Sequence, residues 1–109
     1  MTSTVELGEV HVSVFPFTSG QEARARPVLV LMDLGPDCLV CRITSVPHRG
    51  FLDLPVTNWQ EAGLEKPSTI RLSRLVTVEK PLLRVRIGRL AREDLDRVKT
   101  LWNEKFRLE

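Results

Sequence analysis

The run Arg26-Pro27-Val28-Leu29-Val30-Leu31 constrains the fold more tightly than any other stretch of the chain. A proline disfavours the helical region for the residue before it, so Arg26 is extended. Proline itself can open a strand, because the first residue need not donate to the ladder. The aliphatic residues that follow have the pattern of a short strand buried on both faces. The run therefore predicts a core strand from about Pro27 to Asp33, with Arg26 held at its mouth. Gly35-Pro36-Asp37 reads as a tight turn. Cys38 to Thr44 then makes an antiparallel hairpin partner, which Val46-Pro47 ends.

The neighbouring segments extend this β pattern. From Glu9, Val10, Val12 and Val14 alternate with His11 and Ser13, as in a half-buried strand that begins just after Gly8. Residues 16–25, PFTSGQEARA, form a polar loop of about ten residues, long enough to suspect function. A second loop, His48 to Leu52, leads to a short strand near Leu52 to Val56. Asn58 to Gly63 reads as a single helical turn, with Asn58 as N-cap and Gly63 closing it. Ser68 to Leu72 reads as another short strand followed by a turn. Leu83, Val85 and Ile87 alternate with Arg84 and Arg86, which gives one buried and one basic face.

From about Arg92 to Arg107 the period changes. Leu95, Val98, Trp102 and Phe106 recur at helical spacing, and Leu101 widens the stripe. Trp102 and Phe106 are expected in the core. Glu93 and Asp94 in the first turn suit the helix dipole. Several short strands and one amphipathic helix predict a small, strongly curved sheet or barrel closed by that helix. With 109 residues and no internal repeat, 1–109 is expected to be one domain, small enough to favour dimerisation.

A chain with 42% hydrophobic and 28% charged residues has a folded composition, which sets disorder aside. The net charge of +2 permits a polyanion partner without requiring one. The longest fully apolar run, Val28 to Met32, is far too short to span a membrane. The N-terminal MTSTVELGEV lacks the regions of a signal peptide, so a soluble cytoplasmic protein is expected. Cys38 and Cys41 form a CxxC, but on a strand residues three apart point to opposite faces. Zinc needs four ligands, and the only imidazoles belong to His11 and His48. Two packed thiols in a reducing compartment, with no bound metal, are the expectation.

The order of the pieces is more specific than any one of them. GEVHVSVFPF, a polar loop, RPVLVL, CRITS, GLEKPSTIRLSRLVTVEK and IGRL follow one another over roughly residues 7 to 100. In this order they resemble the MazF/PemK family of toxins from bacterial toxin–antitoxin modules. The resemblance implies a mainly β, SH3-like barrel of the CcdB/MazF type, with a C-terminal amphipathic helix, that forms a homodimer. It implies sequence-selective cleavage of single-stranded RNA without the ribosome or a cofactor. A cognate antitoxin would bind across the dimer and block the RNA groove.

Matched residue by residue, the resemblance assigns the reaction to Arg26 and Thr44, with Ser45 beside it on the substrate; Glu22 as a third catalytic residue and Phe17, Ser19 and His48 as substrate contacts are expected from their places in the two loops. Relatives carry a G-S-E-Q-like element where this chain has Ser19-Gly20-Gln21-Glu22, so the acidic residue is displaced by one. A glutamine found near the later turn in some relatives is Arg74 here. The usual Ser or Thr cap before the last helix is Ala91.

These residue types suit the chemistry. RNA carries its own nucleophile, the 2′-hydroxyl, so a nuclease needs to align it, take its proton and stabilise a phosphorane. The planar guanidinium of Arg26 can hold two phosphoryl oxygens at once. A guanidinium keeps its proton, so it is a poor base and a good electrostatic clamp. Thr44 offers a hydroxyl donor near the same end of the adjacent strand. The proton acceptor is Glu22 or His48, and His11 is disfavoured by its mid-strand position. Phe17 either stacks on a base or packs beneath the loop. Arg84 and Arg86 fit a solvated basic face. Two rivals share the fold expectation: a CcdB-like poison of DNA gyrase, and an inactive family member with a structural or regulatory role.

Overall fold

The computed structural model describes residues 4–15 and 24–109. Its elements are β1 (Glu9–Phe15), β2 (Arg24–Asp33), β3 (Asp37–Thr44), β4 (Asp53–Pro55), β5 (Thr69–Glu79), a 3-10 turn (Lys80–Leu82), β6 (Leu83–Arg89) and α1 (Arg92–Lys105). The six strands form one antiparallel sheet in the order β4-β5-β3-β2-β1-β6. This is the expected mainly β fold with a C-terminal helix. The sheet curls like a barrel without closing through hydrogen bonds. Irregular pairings between β1 and β6, β2 and β3, and β3 and β5 bend it.

The hairpin at the centre is buried on both faces, as its sequence demands. Val28 and Val30 join Cys38, Val40 and Val78 in a smaller core. Leu29 joins Val10, Cys41, Ile43, Ile70 and Leu72 in a larger one on the other face. The two cysteines therefore diverge into separate cores. Burial pushes the Cys38 thiol up to about 11 and raises that of Cys41 further. β2 starts at Arg24, three residues before the expected Pro27, because β1 continues alongside and pairs Phe15 with Arg24 and Ser13 with Arg26. The ladder to β3 begins at Val28, one residue past the proline.

Two segments depart from the sequence expectation. The short strand expected at Ser68 to Leu72, with its turn, is part of the eleven-residue β5. Opposite the consecutive β3 residues Cys41 and Arg42 stand Leu75 and Arg71, so Leu72, Ser73 and Arg74 bulge out between them. A bulge breaks the alternation just as a turn does. Leu72 uses it to enter the larger core, fully buried.

The single helical turn expected at Asn58 to Gly63 forms and is closed by Gly63 at φ +84°, but its cap is not the expected one. Backbone hydrogen bonds run from Ala62 to Asn58, Gly63 to Gln60 and Leu64 to Trp59. The Asn58 side chain does not cap it, donating instead to Glu93 on α1 at 3.1 Å. The cap comes from Asp94, whose two carboxylate oxygens accept the N–H groups of Thr57 and Asn58 at 3.0 and 2.8 Å. Arg97 binds the same carboxylate at 3.1 Å and donates to the Pro55 carbonyl and the Thr57 hydroxyl. α1 otherwise packs Leu95, Val98, Leu101, Trp102 and Phe106 on the larger core. The Trp102 and Phe106 rings stack with centroids 4.0 Å apart. Its N-cap, Ala91, makes no side-chain cap bond, as expected.

Candidate functional site

Strand register decides which side chains meet at the end of the central hairpin. Val28 pairs with Arg42, and two residues further along each strand lie Arg26 and Thr44. Both line a cleft of about 410 Å³. Ser45 lines it too, just past the end of β3, as does Arg42. The sequence-predicted residues Arg26, Thr44 and Ser45 are thus brought to one cavity.

The opposite wall is the chain from Gly63 to Lys66, and its placement follows from two glycines. Gly63 has φ +84°, which a residue with a Cβ rarely adopts. A methyl group there would overlap the Ile87 carbonyl, and one on Gly88 would overlap the Ala62 carbonyl. The turn and β6 therefore touch backbone to backbone. The Ser68 hydroxyl donates to the Lys66 carbonyl at 2.8 Å and holds the other end of the wall.

Thr44 is almost buried, at 7% exposure. Its Oγ1 accepts the Val46 N–H at 3.1 Å, which fixes the rotamer and leaves the hydroxyl proton to be donated. The arginines are crowded. Burial, and then the charges of Arg26, Arg71 and Arg74, lower the Arg42 pKa from its ordinary value. Arg71 faces Arg42 across the β3–β5 ladder and pairs with the Asp53 carboxylate at 2.9 Å. Burial pushes the Asp53 carboxyl up, but hydrogen bonds from Arg71 and the Gly50 N–H and the charges of Arg71 and His48 outweigh it and leave it below its usual value. Arg26, Arg42 and Lys66 give the cleft a basic lining suited to a polyanion.

The remaining predicted residues divide. Phe17, Ser19 and Glu22, with Gly20 and Gln21, lie outside the described residues. His48 is half-buried and does not line the cleft; its charge acts on Asp53. His11 is buried on β1, its Nε2 2.8 Å from Glu9 Oε1. Arg84 and Arg86 are exposed on β6, Arg86 4.0 Å from the Glu9 carboxylate. Sequence reasoning missed Arg42, Glu65 and Lys66 as cleft residues. Arg42 sits between Cys41 and Ile43 in an alternating strand, where a polar residue reads only as the outward position. Among the described residues, no group of three His, Cys, Asp or Glu side chains could hold a metal ion. No described helix is long and apolar enough to cross a membrane.

Comparison with known proteins bears on the whole chain. A family model described as PemK-like, MazF-like toxin of type II toxin–antitoxin system matches residues 6–104. Curated protein sequences contain no significant match. The fold is similar to that of the Mycobacterium tuberculosis toxin MazF-mt6, at 23% identity and a TM-score of 0.73, over 93% of this chain and 98% of that one. It is also similar to a mycobacterial endoribonuclease solved in complex with its cognate antitoxin, at 14% identity and a TM-score of 0.72, over 97% and 98%. A MazF from Deinococcus radiodurans aligns at 14% identity and a TM-score of 0.66, over 89% and 90%.

Proposed function

Because the chain belongs to the PemK-like, MazF-like toxins of type II toxin–antitoxin systems, we propose that it is an endoribonuclease that cleaves single-stranded RNA at selected sequences. The 2′-oxygen attacks the adjacent phosphorus, the P–O5′ bond breaks, and the products are a 2′,3′-cyclic phosphate and a 5′-hydroxyl. The 2′-hydroxyl proton leaves to a base, and the departing 5′-oxygen gains one. Arg26 clamps two phosphoryl oxygens and stabilises the charge that grows on them. Thr44 donates its hydroxyl proton to a non-bridging oxygen, and Ser45 contacts the strand beside it. Glu22 or His48 serves as the base, and Phe17 and Ser19 contact the substrate. No cofactor is needed, since substrate alignment and electrostatics supply the catalysis.

One observation carries this reading: Arg26 and Thr44 stand at matching ends of β2 and β3, on one cleft that Arg42 also lines. The whole chain acts as one catalytic domain and as a homodimer in the cytoplasm. A cognate antitoxin holds it inactive, and the structural neighbour in complex with its own antitoxin supports that partnership. The test is to incubate the purified protein with a long single-stranded RNA in EDTA and map the ends. Fragments with cyclic-phosphate and 5′-hydroxyl ends at recurrent sequences are expected. Intact RNA would overturn the reading, and if gyrase–DNA complexes were trapped instead, the protein would be a gyrase poison.

A further inference from the structure

Among the described residues, the cleft holds one acid beside its cations. Glu65 lines it together with Lys66, and both are exposed. Glu65 takes part in none of the ion pairs found among the described residues, although Arg26 and Arg42 line the same cleft. Neutralising them is not its role. The backbone beneath it is held on both sides, by the contact of Gly63 with Ile87 and by the Ser68 hydroxyl on the Lys66 carbonyl. Pro67 restricts Lys66 further. A charged pair on so rigid a mount can be aimed.

A carboxylate presents two acceptors and an ammonium presents donors. In single-stranded RNA the Watson–Crick edges are open to such groups. Guanine alone places two adjacent N–H donors, N1–H and N2–H, beside an acceptor, O6. We propose that Glu65 and Lys66 read a guanine next to the scissile phosphate, Glu65 accepting from N1–H and N2–H and Lys66 donating to O6. Resting on the nuclease reading, this assigns Glu65 to specificity, while Arg26 and Thr44 act on the phosphate. The two walls divide the work: one holds the backbone common to every RNA, the other the base that differs.

The experiment sequences the cut ends of a randomised single-stranded RNA pool, with the wild-type protein and with Glu65→Gln and Glu65→Ala. Wild type should enrich guanine beside the cut by about 5- to 150-fold, the range for one good bidentate base contact. Both substitutions should flatten that enrichment. A second measurement does not depend on turnover: binding of an uncleavable RNA, 2′-deoxy at the cut nucleotide, with guanine or with inosine at the adjacent position. Inosine lacks the N2 amino group, so wild type should discriminate and the Glu65 variants should not. A wild type that cuts RNA without favouring guanine, or variants that keep the preference, would overturn the assignment and leave the nuclease standing. A wild type that cuts no RNA would overturn the nuclease, while guanine-over-inosine binding lost on substitution would still support Glu65 as the reader.

Discussion

At the foot of α1, Asp94 is completely buried, and its oxygens are taken up by two backbone N–H groups and Arg97. In the cleft, Arg42 is half-buried among Arg26, Arg71 and Arg74, whose charges disfavour its own. Both places take charge out of water, and they do it to opposite ends. Around Asp94 the Thr57 and Asn58 N–H groups, with Arg97 on the Pro55 carbonyl and the Thr57 hydroxyl, tie the turn after β4 to the helix, so burial is compensated and the fold gains rigidity. Around Arg42 burial and the neighbouring guanidinium charges disfavour its own charge, which a phosphate backbone would favour on binding. Paired charge at Asp94 serves the fold, and the basic lining of the cleft serves the proposed reaction.

Substitutions can break that contrast. Asp94→Ala should have the largest effect, a loss of about 2–5 kcal/mol of stability, because it orphans the Thr57 and Asn58 N–H groups and the Arg97 contact. Urea unfolding measures it, and a loss below about 0.5 kcal/mol would mean that the apolar face of α1 holds the turn by itself. Arg26→Ala should do the reverse, leaving the unfolding midpoint nearly unchanged while cleavage falls by about 10²–10³-fold. Single-turnover cleavage of RNA by that variant at the wild-type rate would move Arg26 to the structural side. Thr44→Val, which keeps shape and removes one neutral donor, should slow the same assay by about tenfold.

The smallest effect belongs to a surface knot that resembles the Asp94 arrangement without its burial. Asp33 is held down to about 2 by Lys80, with help from the Gly35 and Val5 N–H groups. Its folded pKa lies below the ordinary 3.8, so its stabilising contribution is present above about 4 and is lost as the pH falls towards 2. Asp33→Asn should flatten the dependence of the thermal midpoint on pH in that window. An unchanged slope would show that other carboxylates govern acid unfolding.

What could be read in advance follows the range of the interaction that decides it. The central hairpin was legible because Pro27, the aliphatic run and the Gly35-Pro36 turn act within a few residues of themselves. The divergence of Cys38 and Cys41 followed from strand geometry alone. The bulge at Leu72 to Arg74 was not legible, since a local break in alternation is the same for a bulge and a turn, and only the partner strand β3 distinguishes them. The turn after Asn58 takes its cap from Asp94, more than thirty residues away. In the site, Arg26 and Thr44 were found through resemblance to a family. Arg42 becomes a cleft residue only once β3 is set beside β2 and β5. Glu65 and Lys66 had no signal, because what distinguishes them is the fixed backbone beneath two ordinary surface residues.

That backbone also divides the rim into positions that can vary and positions that cannot. Gly63 and Gly88 admit no larger residue without forcing the turn away from β6. Glu65 and Lys66 are exposed, and their side chains can be exchanged while the main chain stays where it is. The cleft can thus be re-lettered without being rebuilt, the clamp constant and the alphabet facing it open to change one residue at a time.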